Sequence, residues 1–201
     1  MIELYPKYDD PIESANYFFR NGKKFMNEGQ WKLAAEHFEA FLEQFKLLDN
    51  LEGMAEGFRI LGVVYSHLER GEESEAYLNK ALEMNKAFDD PQREAFIYRN
   101  FASSYMRLEK MELSEKYYLK AIEINRAISN SSALLSDHCS LGFLFQRRER
   151  YEDAMQHLYL ALSYSENPKL EPVKETIDET LRYIKKQVGR KQFKIWRKKF
   201  S

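Results

Sequence analysis

The sequence predicts an all-α fold: four antiparallel helix hairpins in a row, closed by a C-terminal capping helix. Three observations predict it. A small residue returns every 40 positions, at Gly22, Gly62, Ala102 and Gly142, and a fixed period of this size marks stacked supersecondary units. A helix-capping residue returns at the same interval, at Asp10, Asn50, Asp90 and Asn130, where a short polar side chain can accept an orphan N–H of the first turn. Only 8 Gly and 5 Pro occur among 201 residues, too few for a turn-rich all-β chain and suited to long helices.

Residues 1–10 read as a short polar lead. The first helix should open at Asp10-Pro11, since proline lacks only an N–H that the first turn leaves unpaired anyway. First helices should then start near Pro11, Leu51, Pro91 and Ser131. In the second repeat Leu51, Met54, Ala55, Phe58, Leu61, Gly62, Tyr65 and Leu68 follow the spacing of one helix face. Polar breaks at 27–30, 70–72, 109–110 and 148–150 should end the first helices. Second helices should run from about Trp31, Glu73, Met111 and Tyr151. Such short breaks force paired helices to lie antiparallel and in contact.

Around each small anchor the other positions keep phase. A large aromatic follows three later (Phe25, Tyr65, Tyr105, Phe145). A small residue follows twelve later (Ala34, Ser74, Ser114, Ala154) and a bulky apolar one sixteen later (Phe38, Leu78, Tyr118, Leu158). The expected repeats are 11–49, 50–89, 90–129 and 130–168. Residues 169–201 form a cap, with Val173, Ile177, Leu181, Ile184 and Val188 as its single apolar stripe. Gly189 should end that helix.

The Phe58-x-x-Leu61-Gly62-x-x-Tyr65 stretch, ending in Lys80-Ala81-Leu82, resembles the tetratricopeptide repeat in a longer-helix, 40-residue form. The resemblance covers Pro11 to roughly Pro168. It implies a right-handed superhelical solenoid and a non-catalytic adaptor that holds a peptide segment in a concave groove. The alternative it implies is a peptide-sensing regulatory module like those of bacterial quorum regulators. In arrays of this kind the first helices line the groove.

Counting from the anchors, the groove positions hold Phe19, Arg59, Arg99 and Cys139, then Lys23, Val63, Ser103 and Phe143. They continue with Met26, Ser66, Met106 and Gln146, and with Asn27, His67, Arg107 and Arg147. These sixteen positions include five Lys or Arg and no acid. The positions six before the anchors add one acid, Glu56, with Asn16, Phe96 and Ser136. The cationic balance points to an acidic peptide, because a guanidinium holds a carboxylate with two parallel hydrogen bonds. Phe19, Phe96, Phe143, Met26 and Met106 would supply apolar pockets. Some relatives clamp a chaperone tail's carboxylate with Lys and Asn; Arg59 and Asn100 fill that role only in part.

Enzyme signatures are missing from the sequence. No glycine-rich phosphate loop is present. His37, His67, His138 and His157 show no i, i+4 pairing, so no metal or cofactor is expected. Cys139 and His138 are helix neighbours pointing about 100° apart and do not form a base–nucleophile pair. The single cysteine fits a reducing compartment. The N-terminus lacks the pattern of a secretory signal, and no apolar run approaches the ~20 residues of a membrane span. A cytoplasmic protein is expected. From Leu181 to Ser201 there are nine Lys or Arg and no acid. Docking of that basic tail on the array ranks first, an acidic partner second and nucleic acid third, with self-association through it left open.

Overall fold

The computed structural model describes residues 10–164 and 171–200. The lead before Asp10 and the end of the fourth repeat at Pro168 lie outside the described residues. All regular structure among the described residues is helical: α1 (Pro11–Asn27), α2 (Trp31–Leu47), α3 (Leu51–His67), α4 (Gly71–Asn85), α5 (Pro91–Arg107), α6 (Met111–Ala127), α7 (Ser131–Arg147), α8 (Tyr151–Ser163) and α9 (Glu171–Phe200). First helices start at the expected residues. The second helix of the second repeat starts at Gly71, two residues before the expected Glu73, because Arg70 turns the chain there and Glu73 already pairs with its guanidinium.

The caps explain the starts. The N–H groups of Ile12, Gly53, Arg93 and Ala133 donate to the side chains of Asp10 (2.9 Å), Asn50 (2.8 Å), Asp90 (3.0 Å) and Asn130 (3.2 Å). Each such cap contributes about 1 kcal/mol. Gln30, Arg70 and Arg150, which precede second helices, make no side-chain cap. There the turn is held differently. Arg70, Lys110 and Arg150 lie over the rings of Tyr65, Tyr105 and Phe145, at 4.5, 5.9 and 4.3 Å.

The turns repeat at half the sequence period. Gly29, Asp49, Glu69, Asp89, Glu109, Ser129 and Glu149 all have positive φ, between 46° and 71°. After six of these positions the next residue sends its N–H back over the turn, as from Gln30 to Phe25 O (2.8 Å) and Arg150 to Phe145 O (2.9 Å); after Asp89, Asn85 Nδ2 instead donates to Asp90 O at 3.0 Å. The six backbone bonds occupy carbonyls that the helix end leaves open. Only one of the seven positions is glycine, so the geometry is enforced on residues that resist it.

The chain forms two compact units, one up to Lys110 and one from Met111. In the first, α1 packs on α2, α2 on α3, and α3, α4 and α5 on one another. Its largest fully buried side chains are Phe38, Leu61, Leu78, Ile97 and Phe101. The hairpin contact is closest at Gly62, where an added Cβ would stand 2.5 Å from Leu78 and 3.1 Å from the Ser74 carbonyl. Ser74 Oγ donates to the Gly62 carbonyl across the same contact, at 2.7 Å. The positions twelve and sixteen after the anchor are thus the ones that touch it.

In the second unit α6 packs on α7, α7 on α8, and α9 on both α8 and α7. Tyr118, Leu141, Leu144, Met155 and Leu158 form the interior with Ile177 and Ile184 of α9. The expected stripe therefore faces inward, with Val173 and Val188 half-buried at its ends. Gly189 breaks α9 with φ 79° and ψ 161°, a conformation only glycine adopts without strain. Helix resumes beyond it and Phe193 is buried, so the basic segment continues the cap.

Two outcomes follow from this packing. Gly62→Leu should overpack the hairpin by about 1–3 kcal/mol, lowering the melting temperature by about 2–4 °C per kcal/mol for a chain of this size. Gly29→Ala should cost about 1 kcal/mol through its positive φ alone, since among the described residues nothing but its own chain neighbours lies within 4 Å of the added Cβ. Denaturant titrations measure both.

Candidate functional site

The first unit carries a cleft of about 690 Å³ between α3 and α5, floored by the end of α2. Phe41, Phe45, Phe96 and Ile97 form its apolar lining; Glu52, Glu56, Arg59, Asp90 and Arg93 form its charged lining. Phe96 is 41% exposed, unusually open for a large ring. Two guanidiniums flank it, Arg59 at 4.6 Å and Arg99 at 5.9 Å from the ring centre. The negative face of an aromatic ring attracts such cations.

Arg59 enters the cleft already paired. Its Nε donates to Glu56 Oε2 at 2.7 Å, and a second nitrogen donates to Oε1. Arg93, on α5, reaches Glu52 on α3 through one guanidinium nitrogen, and its Nε lies 3.6 Å from Asp90. Acids therefore answer both arginines, and the expected cationic bias does not hold at this point. Glu56, the one acid among the counted positions, lies one turn before Arg59 on the same face. Lys23 and Arg107 are exposed. Lys23 lies 5.4 Å from the ring centre of Phe19.

Several expected groove residues are placed differently. Asn100 is buried, with its Nδ2 unpartnered among the described residues; it faces the packing of α5 and offers no clamp. Ser66 is also buried and donates to Val63 O at 2.7 Å. Met26 and Met106 are half-buried. Arg147 is exposed. Phe143 lines a separate cavity of about 380 Å³ in the second unit, with Leu135, Cys139, Pro172 and Val173. Among the described residues no charged side chain lines that cavity. Cys139 is buried, and burial pushes its thiol up to about 11, which suppresses the reactive thiolate.

The counting of groove positions missed Phe45, Glu52 and Arg93. It ran from six before the anchor to five after it, while Arg93 lies nine before Ala102. A count extended by one helical turn would have included it.

The structure also joins two histidines that the sequence left apart. His138 Nδ1 lies 2.8 Å from His157 Nδ1. His138 is buried, its Nε2 has no partner among the described residues, and Tyr164 stacks on it. Burial, then His157 and Arg126, holds His138 down to about 4. Phe18 with His37 and Phe58 with Tyr77 make ring contacts at the same register, each at 6.0 Å. The histidine pair thus occupies a recurrent packing position. Among the described residues no group of three or more His, Cys, Asp or Glu could hold a metal ion. No helix among them is long and apolar enough to cross a membrane.

Family profiles described as tetratricopeptide repeat match residues 60–88 and 93–167, together just over half of the chain. The chain is a tetratricopeptide repeat protein. A search of curated proteins by sequence gives no match. Among solved structures it is similar to aspartyl phosphate phosphatase F from Bacillus subtilis, with TM-score 0.79 and 16% identity, covering 94% of this chain and 50% of that one. It is also similar to BtubC (BKLC) from P. vanneervenii, with TM-score 0.66 and 19% identity, covering 79% of this chain and 66% of that one. The chain spans less than two thirds of the length of either, and at these identities the likeness concerns the fold alone.

The histidine pair predicts a pH dependence. An imidazole held at about 4, against an ordinary 6.5, leaves the unfolded chain binding more protons between those values. Stability should then fall as pH drops from about 6.5 towards 4. His138→Gln should flatten that slope in melts recorded across the window, and an unchanged slope would remove His138 as its source.

Proposed function

We propose that the chain is a non-catalytic adaptor that holds a peptide segment of a partner protein in the cleft between α3 and α5. One observation carries the reading. The cleft combines an exposed ring, Phe96, with a phenylalanine floor and arginines held in place by their own acids. An apolar side chain entering beside Phe96 and Phe45 would supply most of the affinity, since buried aromatic anchors dominate such contacts. The charged rim would set register and the rate of encounter.

An acidic segment fits this rim by exchange. A carboxylate of the ligand would take the guanidinium of Arg59 from Glu56, which remains half-exposed to water. Lys23 and Arg107, exposed on first helices, would draw the same segment by longer-range attraction. An unpaired carboxylate approaching Glu56 without that exchange would be repelled, so the pair acts as a filter as well as a contact.

Peptides selected by the wild-type protein from a random display library test the proposal. They should be enriched in Asp or Glu beside a large apolar residue, and their binding should weaken with salt. Phe96→Ala should reduce affinity about tenfold or more, equivalent to ~1.4 kcal/mol. Arg59→Ala should do the same and leave Glu56 as an uncompensated acid. Selected peptides that ignore both substitutions would place the binding surface elsewhere.

A further inference from the structure

The structure assigns a second interaction surface to this protein: the outward face of α9 beyond Gly189, which we propose docks an acidic amphipathic helix of a partner protein. The chain is net −1. With nine cations and no acid from Leu181 onward, the preceding 180 residues carry −10. Beyond Gly189 the helix has two distinct sides. Phe193 is buried, and Trp196 and Phe200 are half-buried. These three fall on one stripe at ~100° per residue, and that stripe rests on the protein. Lys191, Lys194, Ile195 and Lys198 fall on the opposite side and are exposed.

The helix is fixed in place rather than merely solvated. Phe193 anchors it, and Lys199 reaches Glu152 at 2.9 Å. Lys191, Lys194 and Lys198 form no ion pair among the described residues. Arg190, Lys194 and Lys198 recur every fourth residue, a rise of ~6 Å, which is the spacing of acids at i and i+4 on a facing helix. Ile195 stands among these cations at 55% exposure.

Ile195 and the buried stripe decide between occupants. A bilayer would take the apolar side of a basic helix, and here that side is already covered. A phosphate backbone is met by cations alone and gains nothing from an exposed isoleucine. An acidic helix with an apolar residue among its carboxylates satisfies both features. The surface is distinct from the α3–α5 cleft and gives the adaptor a second partner of its own.

The test uses the full chain and a synthetic helical peptide with Glu at every fourth position and Leu between, labelled for fluorescence anisotropy. The wild type should bind it with an affinity that falls with salt. Replacing Lys191→Glu, Lys194→Glu and Lys198→Glu together should weaken binding about tenfold or more. Ile195→Ala should weaken it several-fold with every charge intact. All four positions are exposed, so melting temperatures should stay unchanged. Arg59→Ala should have no effect; a loss there would put the peptide in the cleft and overturn the proposal. Binding that survives the triple reversal would overturn it too. A single-stranded DNA oligonucleotide and phosphatidylserine vesicles are the competing probes. If either binds as tightly as the peptide while Ile195→Ala changes nothing, the face is a plain polyanion surface and the proposal fails.

Discussion

The close approach at the repeat anchor is the constraint on which the rest of this structure depends. At Gly62 the two helices of a hairpin come near enough for Leu78 and the Ser74 carbonyl to fill the space a Cβ would take. Gly142 shows the same contact with Leu158 and the Ala154 carbonyl. A larger anchor would push the helices apart and withdraw the aromatic three residues later from the gap it fills. The buried hydroxyl of Ser74 adds direction to the contact by tying itself to the anchor's own carbonyl. Close packing of this kind tolerates little change in volume.

The turns keep the hairpins in register. Left-handed residues at every twentieth position give the turns one geometry, and cations lie over the anchor aromatics beside three of them. Three of the basic residues are therefore structural. With the geometry fixed in this way, residues on the open faces of the first helices are released from packing, and their chemistry can differ from repeat to repeat. Arg59 and Arg99 hold one such position and differ in this respect, a cation paired with Glu56 and a cation near Phe96, whereas Cys139 at the same register is packed inside.

Charge in the cleft is arranged in pairs. Arg59 with Glu56 and Arg93 with Glu52 leave little unbalanced field, so under the proposed function the rings would supply adhesion and the ion pairs discrimination. The acids of both pairs stay open to water while their arginines are half-buried, so a ligand carboxylate could take an acid's place. The basic side of α9 is the opposite case, since Lys191, Lys194 and Lys198 form no ion pair among the described residues and its apolar stripe rests on the protein.

The sequence by itself determined the helices, the starts of the first helices and the hairpin contact at the anchor. Each of these rests on interactions between residues at fixed short separations, so Asp10, Asn50, Asp90 and Asn130 and the anchor at Gly62 were all legible. It also indicated which face of the first helices carries Arg59 and Phe96. Tertiary structure alone decided what those residues meet. Glu56 closes on Arg59 through a choice of rotamer, Asn100 turns out to be packed rather than presented, and Phe45 reaches the cleft from the neighbouring hairpin. The contact of His138 with His157 joins two helices across 19 residues. The 40-residue period reports backbone geometry, which is common to every repeat, whereas a side chain's partner depends on the particular neighbours that packing delivers.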